Sequence, residues 1–152
     1  MITTAADKTT VELPNIDLPS IDNEALLLQL SAAVSPLPII KPLLADIKQQ
    51  CHEYFRQTLD ATTLVAHRCK LIDQILFCLW QNSGFNAEMD NTNSDSIALL
   101  AVGGYGRGEL QPHSDIDLLI VLENEAAFDK HKEALQSFIT LLWDLKLDIG
   151  HS

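Results

Sequence analysis

The sequence predicts an α+β fold in which N-terminal helices pack on a small mixed sheet. Apolar residues recur at helical spacing through residues 43–81, two short apolar runs at 97–102 and 116–122 have the length of strands, and helical spacing returns over 124–143. The order is helices, strand, glycine-rich loop, strand and helix, with no internal repeat.

Residues 1–20 are rich in Thr, Asp and Pro without periodicity, which predicts a disordered or loosely docked tail. Asn23 to Val34 suits a short helix capped by Asp22. Pro36, Pro38 and Pro42 interrupt the chain, and Pro42 suits the first turn of the next helix, where its missing N–H costs nothing. That helix is predicted from Leu43 to Leu59, with Leu43, Ile47, Cys51, Tyr54, Phe55 and Leu59 at helical spacing. A second runs from Ala61 to Gln81, buries Leu64, Leu71, Ile72, Ile75, Leu76 and Leu79, and stops at Asn82-Ser83-Gly84. The two form an antiparallel pair, and Trp80 reads as core rather than as a ligand-stacking ring. Residues 21–84 are thus a helical region, and the polar stretch 84–95 reads as a surface loop.

The second region, 96–152, begins with the apolar run Ile97 to Val102, consistent with a buried strand. Ile116 to Leu122 is another strand. Ala127, His131, Leu135, Phe138, Ile139 and Leu142 then mark a helix, and Leu145 to Ile149 suits the start of a third strand.

Composition narrows the function. Ten basic residues against twenty-one acidic give a formal charge of −11 over 152 residues, which argues against a general nucleic-acid binder. An acidic chain still binds a nucleotide when a divalent metal or backbone donors face the phosphates. The odd set Cys51, Cys69 and Cys78 has no C-x-x-C spacing and reads as core thiols in a reducing compartment. The N-terminus lacks a signal-peptide pattern and no apolar stretch reaches membrane-spanning length, so a cytoplasmic protein with no membrane partner is expected.

The informative segment is 101–122. Four of the six glycines lie between Gly103 and Gly108, directly after an apolar strand. Their backbone N–H groups could cradle a phosphate, and a tight structural turn fits the glycines alone equally well. The P-loop is excluded because no Lys lies between Lys70 and Lys130, and a dinucleotide fingerprint fails because Glu109 stands where its third glycine belongs. Asp115 and Asp117 then open the second apolar run. On a strand, residues two apart share a face, so the carboxylates repel unless a divalent cation lies between them. Ile116, Leu118 and Ile120 take the opposite, core face and fix the register.

Gly103-Gly104, a spacer and Asp115-x-Asp117 resemble the signature of the polymerase-β-like nucleotidyltransferases. The fuller string from Gly103 to Leu110, followed by Pro112 to Leu119, resembles the bacterial PII uridylyltransferase branch, as does the ending Asp148 to Ser152. The resemblance covers about residues 40–152. It implies a truncated polymerase-β-like core and Mg²⁺-dependent transfer of UMP from UTP to a tyrosine of the PII nitrogen-signalling protein, with a second activity that removes it. It further implies that Gly103 and Gly104 hold the triphosphate and that Asp115 and Asp117 bind Mg²⁺. Two metals bridging the attacking and leaving oxygens would stabilise an in-line displacement at phosphorus.

Arg107 could contact phosphate or pair with Glu109, and Ser114 could bond a phosphate, orient Asp115 or cap a turn. His113 reads as structural and Tyr105 as packing for the loop. The superfamily places a third carboxylate on a later strand, and the branch adds hydrolase and regulatory domains. The chain is therefore expected to be an N-terminal fragment without a complete active site. The alternatives are an adenylyltransferase acting on glutamine synthetase and a non-catalytic module that binds nucleotide or docks a partner.

Overall fold

In the computed structural model, residues 17–85, 97–111, 114–147 and the strand pair 149–150 are described. Within them lie α1 (Asn23–Ala32), α2 (Leu37–Thr58), α3 (Ala61–Asn82), β1 (Ile97–Ala101), the single turn α4 (Gly103–Gly106), β2 (Ile116–Leu122), α5 (Glu125–Asp144) and β3 (Ile149–Gly150). The fold is α+β, as its periodicities predict. No described helix is long and apolar enough to cross a membrane.

The helical region is built on α3. Its buried stripe consists of the six predicted residues with Cys69 and Cys78 added. Asp60 caps its start by accepting from the Thr63 amide at 3.0 Å. Leu59, in the left-handed region at φ 53°, ends α2, so two residues suffice to fold α2 back along α3. Ile40, Ile47 and Cys51 are the buried residues of α2, whereas Phe55 and Leu59, which share the helical spacing, are exposed. All three cysteines are buried free thiols.

Asp22 caps α1 as expected, accepting from the Ala25 amide. The chain entering α1 is tied along α3: Gln74 Nε2 donates to the Ile21 carbonyl and to Asn23 Oδ1, both at 3.1 Å. His67 Nε2 meets the Pro19 carbonyl, and Pro19 is buried. The last residues of the expected tail, 17–20, are therefore seated on the helices, while residues 1–16 lie outside the described part.

Two boundaries differ from expectation. α2 begins at Leu37 rather than Leu43, with Pro38 in its first turn and Pro42 inside the helix. A proline pair at this spacing leaves the Pro38 carbonyl without its usual N–H partner. Burial of Ile40 to 0% exposure offsets that loss and holds the early turn helical. The third strand is also shorter than expected. Leu145 is the buried end of α5, and Lys146 turns the chain at φ 53°, so pairing begins only at Ile149.

The sheet order is β1-β2-β3, antiparallel between β1 and β2 and parallel between β2 and β3. Ile97 lies opposite Leu122 and Ala101 opposite Leu118. Ile116, Leu118 and Ile120 face the core, as the alternation predicts. β1 is not the buried strand expected: Leu100, Leu119 and Val121 leave the other face of the ribbon exposed. α5 spans the core side and buries Ala127, Leu135, Phe138 and Leu142. Trp80 serves the core, with its ring 4.2 Å from Phe85 and 5.3 Å from Phe138 between centroids, which locks the end of α3 against α5. Gly84 and Phe85 are the only described residues of the expected loop 84–95, and Phe85 is buried.

Candidate nucleotide and metal site

β1 delivers the chain into α4, and the Val102 amide still bonds the Asp117 carbonyl at 3.0 Å. The glycine turn and the second aspartate are therefore neighbours by strand pairing. Gly103 takes φ +61°, and a Cβ built on it would lie 2.5 Å from Asp117 Oδ2. Any side chain at 103 would collide with that carboxylate, and any L-residue would be strained there. Asp117 is half-buried and lies on the open face of β2, opposite in alternation to Ile116. Asp115, one residue before the strand, is exposed. Neither carboxylate makes a side-chain hydrogen bond or ion pair with a described residue. Two hard oxygen donors of this kind fit Mg²⁺ that takes its other ligands from water and phosphate. Among the described residues, no group of three or more His, Cys, Asp or Glu gathers at metal-binding distance.

The other glycines divide in role. A Cβ at Gly106 would stand 2.6 Å from the Ala101 carbonyl oxygen, so Gly106 lets the turn pack on the strand that precedes it. A Cβ at Gly104 would meet only ordinary contacts, 3.7 Å from the Glu109 carbonyl and 3.8 Å from an Arg107 nitrogen. A Cβ is therefore sterically tolerated at Gly104. The turn uses the amides of Gly106, Arg107, Gly108 and Glu109 internally, on the carbonyls of residues 102–105. A phosphate cradle here is thus confined to the first amides of the turn, not spread over all four glycines.

Tyr105 packs the loop, as its place in the sequence suggests. Its ring is 5% exposed and its hydroxyl donates to Asp73 Oδ1 of α3 at 2.5 Å. Burial, then the Asp73 hydrogen bond and charge, push the phenol well above its ordinary range. The folded state therefore favours the neutral phenol, whereas an unfolded tyrosine ionises near pH ~10. Stability from this group is whole below that pH and falls as pH rises beyond it. Urea unfolding between pH 8 and 11 should show this alkaline loss, and Tyr105→Phe should reduce it.

Arg107 Nε pairs with Glu109 Oε2 at 3.2 Å, with both side chains largely exposed. Ser114 closes a turn: its hydroxyl accepts from the Gln111 amide at 3.1 Å, and its amide donates to the Gln111 carbonyl at 3.0 Å. This turn delivers the chain to Asp115. His113 lies outside the described residues, as do Asp148, His151 and Ser152. A surface groove lined by Pro36, Glu133, Ser137 and Asp144 contains none of the candidate residues. Sequence reasoning missed Asp73, whose only signal would have been a contact between residues 32 positions apart.

Residues 85–149 match the nucleotidyltransferase domain model. The chain is 38% identical over 140 residues to a bifunctional uridylyltransferase/uridylyl-removing enzyme of Pseudomonas putida strain W619. It is 36% identical to the enzymes of that name from Azotobacter vinelandii and Pseudomonas aeruginosa strain LESB58. Each match covers 92% of this chain and 15% of the relative, so the chain spans a small part of their length. No solved structure matches it.

Proposed function

We propose, from the match of residues 85–149 to the nucleotidyltransferase domain model, that this chain supplies the metal and triphosphate end of a UMP-transfer site. The donor is UTP, and the acceptor is a tyrosine of the PII nitrogen-regulatory protein. The observation that carries this reading is the packing of Gly103 directly against the Asp117 carboxylate, which puts a glycine turn and an acidic pair at one end of the sheet. A structural turn has no need of an unpaired carboxylate beside it, whereas a metal-bound triphosphate needs both groups.

In this reading Asp115 and Asp117 would hold Mg²⁺ on the triphosphate, where it would neutralise phosphate charge. Gly103 and Gly104 leave room for the phosphates to approach the backbone. Arg107 exchanges its Glu109 partner for a phosphate oxygen, and Ser114 holds the turn that aims Asp115. The tyrosine oxygen forms a bond to the α-phosphorus, and its proton passes to solvent water. The bond from that phosphorus to the bridging oxygen breaks, and pyrophosphate leaves.

The test is transfer by the complete protein with Mg²⁺ and labelled nucleotide. The reading expects label on a PII tyrosine from UTP. Transfer of AMP from ATP to glutamine synthetase instead would overturn it, as would nucleotide binding with no transfer to either protein. Residues 1–152 alone are expected to bind Mg²⁺–UTP weakly and to leave PII unlabelled, because two aspartates hold one metal through the triphosphate. Positioning the attacking oxygen on a second metal takes a further protein oxygen. Label on PII at a rate comparable to that of the complete protein would contradict this.

A further inference from the structure

We infer that Asp73 is a positioning residue for the nucleotide: its carboxylate on α3 holds Tyr105, and through it the glycine turn, in place beside Asp117. The inference rests on the reading of the turn as a triphosphate site, and it makes the helical region a working part of that site.

The argument starts from burial. The turn from Gly103 to Glu109 is largely exposed, apart from Tyr105. Tyr105 and Leu110, at 5% and 1% exposure, are the two side chains that pin the segment to the protein. Leu110 makes an apolar contact and tolerates sliding. Tyr105 is held directionally, because its hydroxyl donates to Asp73 Oδ1. Asp73 sits on the most firmly packed helix, beside Ile72 and two residues before Ile75, which are 7% and 0% exposed.

The next residue back from Tyr105 is Gly104, where a Cβ would meet only ordinary contacts, and the one before is Gly103, against Asp117. Rotation or drift of the Tyr105 ring would therefore move the phosphate-facing amides relative to the carboxylate. Displacements on the order of 1 Å in such sites cost about a hundredfold in rate. Burial and the Asp73 carboxylate both favour the protonated hydroxyl that this hydrogen bond requires.

The experiment uses the complete protein and three variants, Asp73→Ala, Asp73→Asn and Tyr105→Phe. Each is read by the KM for UTP against kcat, and by trypsin cleavage after Arg107. Arg107 is the only Lys or Arg between Lys70 and Lys130, so its cleavage product is unambiguous. Asp73→Ala and Tyr105→Phe should raise the KM for UTP about tenfold and cleavage after Arg107 several-fold, at little cost in Tm. Asp73→Asn keeps an acceptor oxygen and should restore both values to near wild type.

Wild-type KM and cleavage in Asp73→Ala and Tyr105→Phe would overturn the inference. So would Asp73→Asn behaving like Asp73→Ala, or a fall in Tm with no change in KM. Should Asp73→Ala fail to fold, Tyr105→Phe, which keeps the buried ring, carries the test. If the wild-type protein transfers no UMP, the functional reading fails, and the cleavage rates still show whether Asp73 holds the turn.

Discussion

Asp115→Asn and Asp117→Asn are each expected to lower UMP transfer by the complete protein roughly 10²- to 10⁴-fold, with the fold unchanged. A catalytic metal contributes several kcal/mol of transition-state stabilisation, and each ~1.4 kcal/mol is a factor of ten in rate. Neither carboxylate supports the structure through a described ion pair or hydrogen bond, so the amide removes a metal ligand without leaving a buried partner behind. Asn also relieves repulsion between two acidic neighbours, so thermal stability should hold or rise slightly. Kinetics at saturating Mg²⁺ together with a melting curve check both halves. Normal rates in both variants would remove the pair from the mechanism.

The second large effect concerns two glycines two residues apart. Gly104→Val should cut kcat/KM for UTP by about a hundredfold, the scale of a misplaced substrate, with little change in Tm. A Cβ there meets nothing closer than 3.7 Å, so the fold tolerates it, while a branched side chain would crowd phosphates approaching the turn. Gly106→Ala should do the reverse. Its Cβ would lie 2.6 Å from the Ala101 carbonyl oxygen, so the turn must lift from β1. Overpacking of that kind costs about 1–3 kcal/mol, and Tm should fall. A Gly104 variant with unchanged kinetics would mean that the glycines only shape a turn.

What the sequence made legible follows from local periodicity. The stripe of α3 was readable because Leu64 to Leu79 repeat at the helical period and all face one core. The register of β2 was readable because Ile116, Leu118 and Ile120 alternate with residues on the open face. The start of α2 was not readable, because Pro42 suits a first turn and only tertiary burial of Ile40 carries the helix back to Leu37. The end of α5 was misread as strand because Leu145 and Leu147 are apolar, whereas the left-handed turn at Lys146 leaves no local signal. At the site, residue types located Gly103 and Asp117, but their contact arises from β1–β2 pairing. The division of labour between Gly104 and Gly106, and the link from Tyr105 to Asp73, depend on distances that no spacing rule encodes.

The central claim is that Asp115 and Asp117 hold a divalent cation together with a nucleotide triphosphate. Mn²⁺ binding, followed by electron paramagnetic resonance on the complete protein with and without UTP, tests it without requiring catalysis. Wild-type protein should bind Mn²⁺ markedly more tightly with UTP present, and the double variant Asp115→Asn/Asp117→Asn should lose that nucleotide-linked binding while melting as wild type does. Equal UTP-linked Mn²⁺ binding by wild type and the double variant would contradict the account.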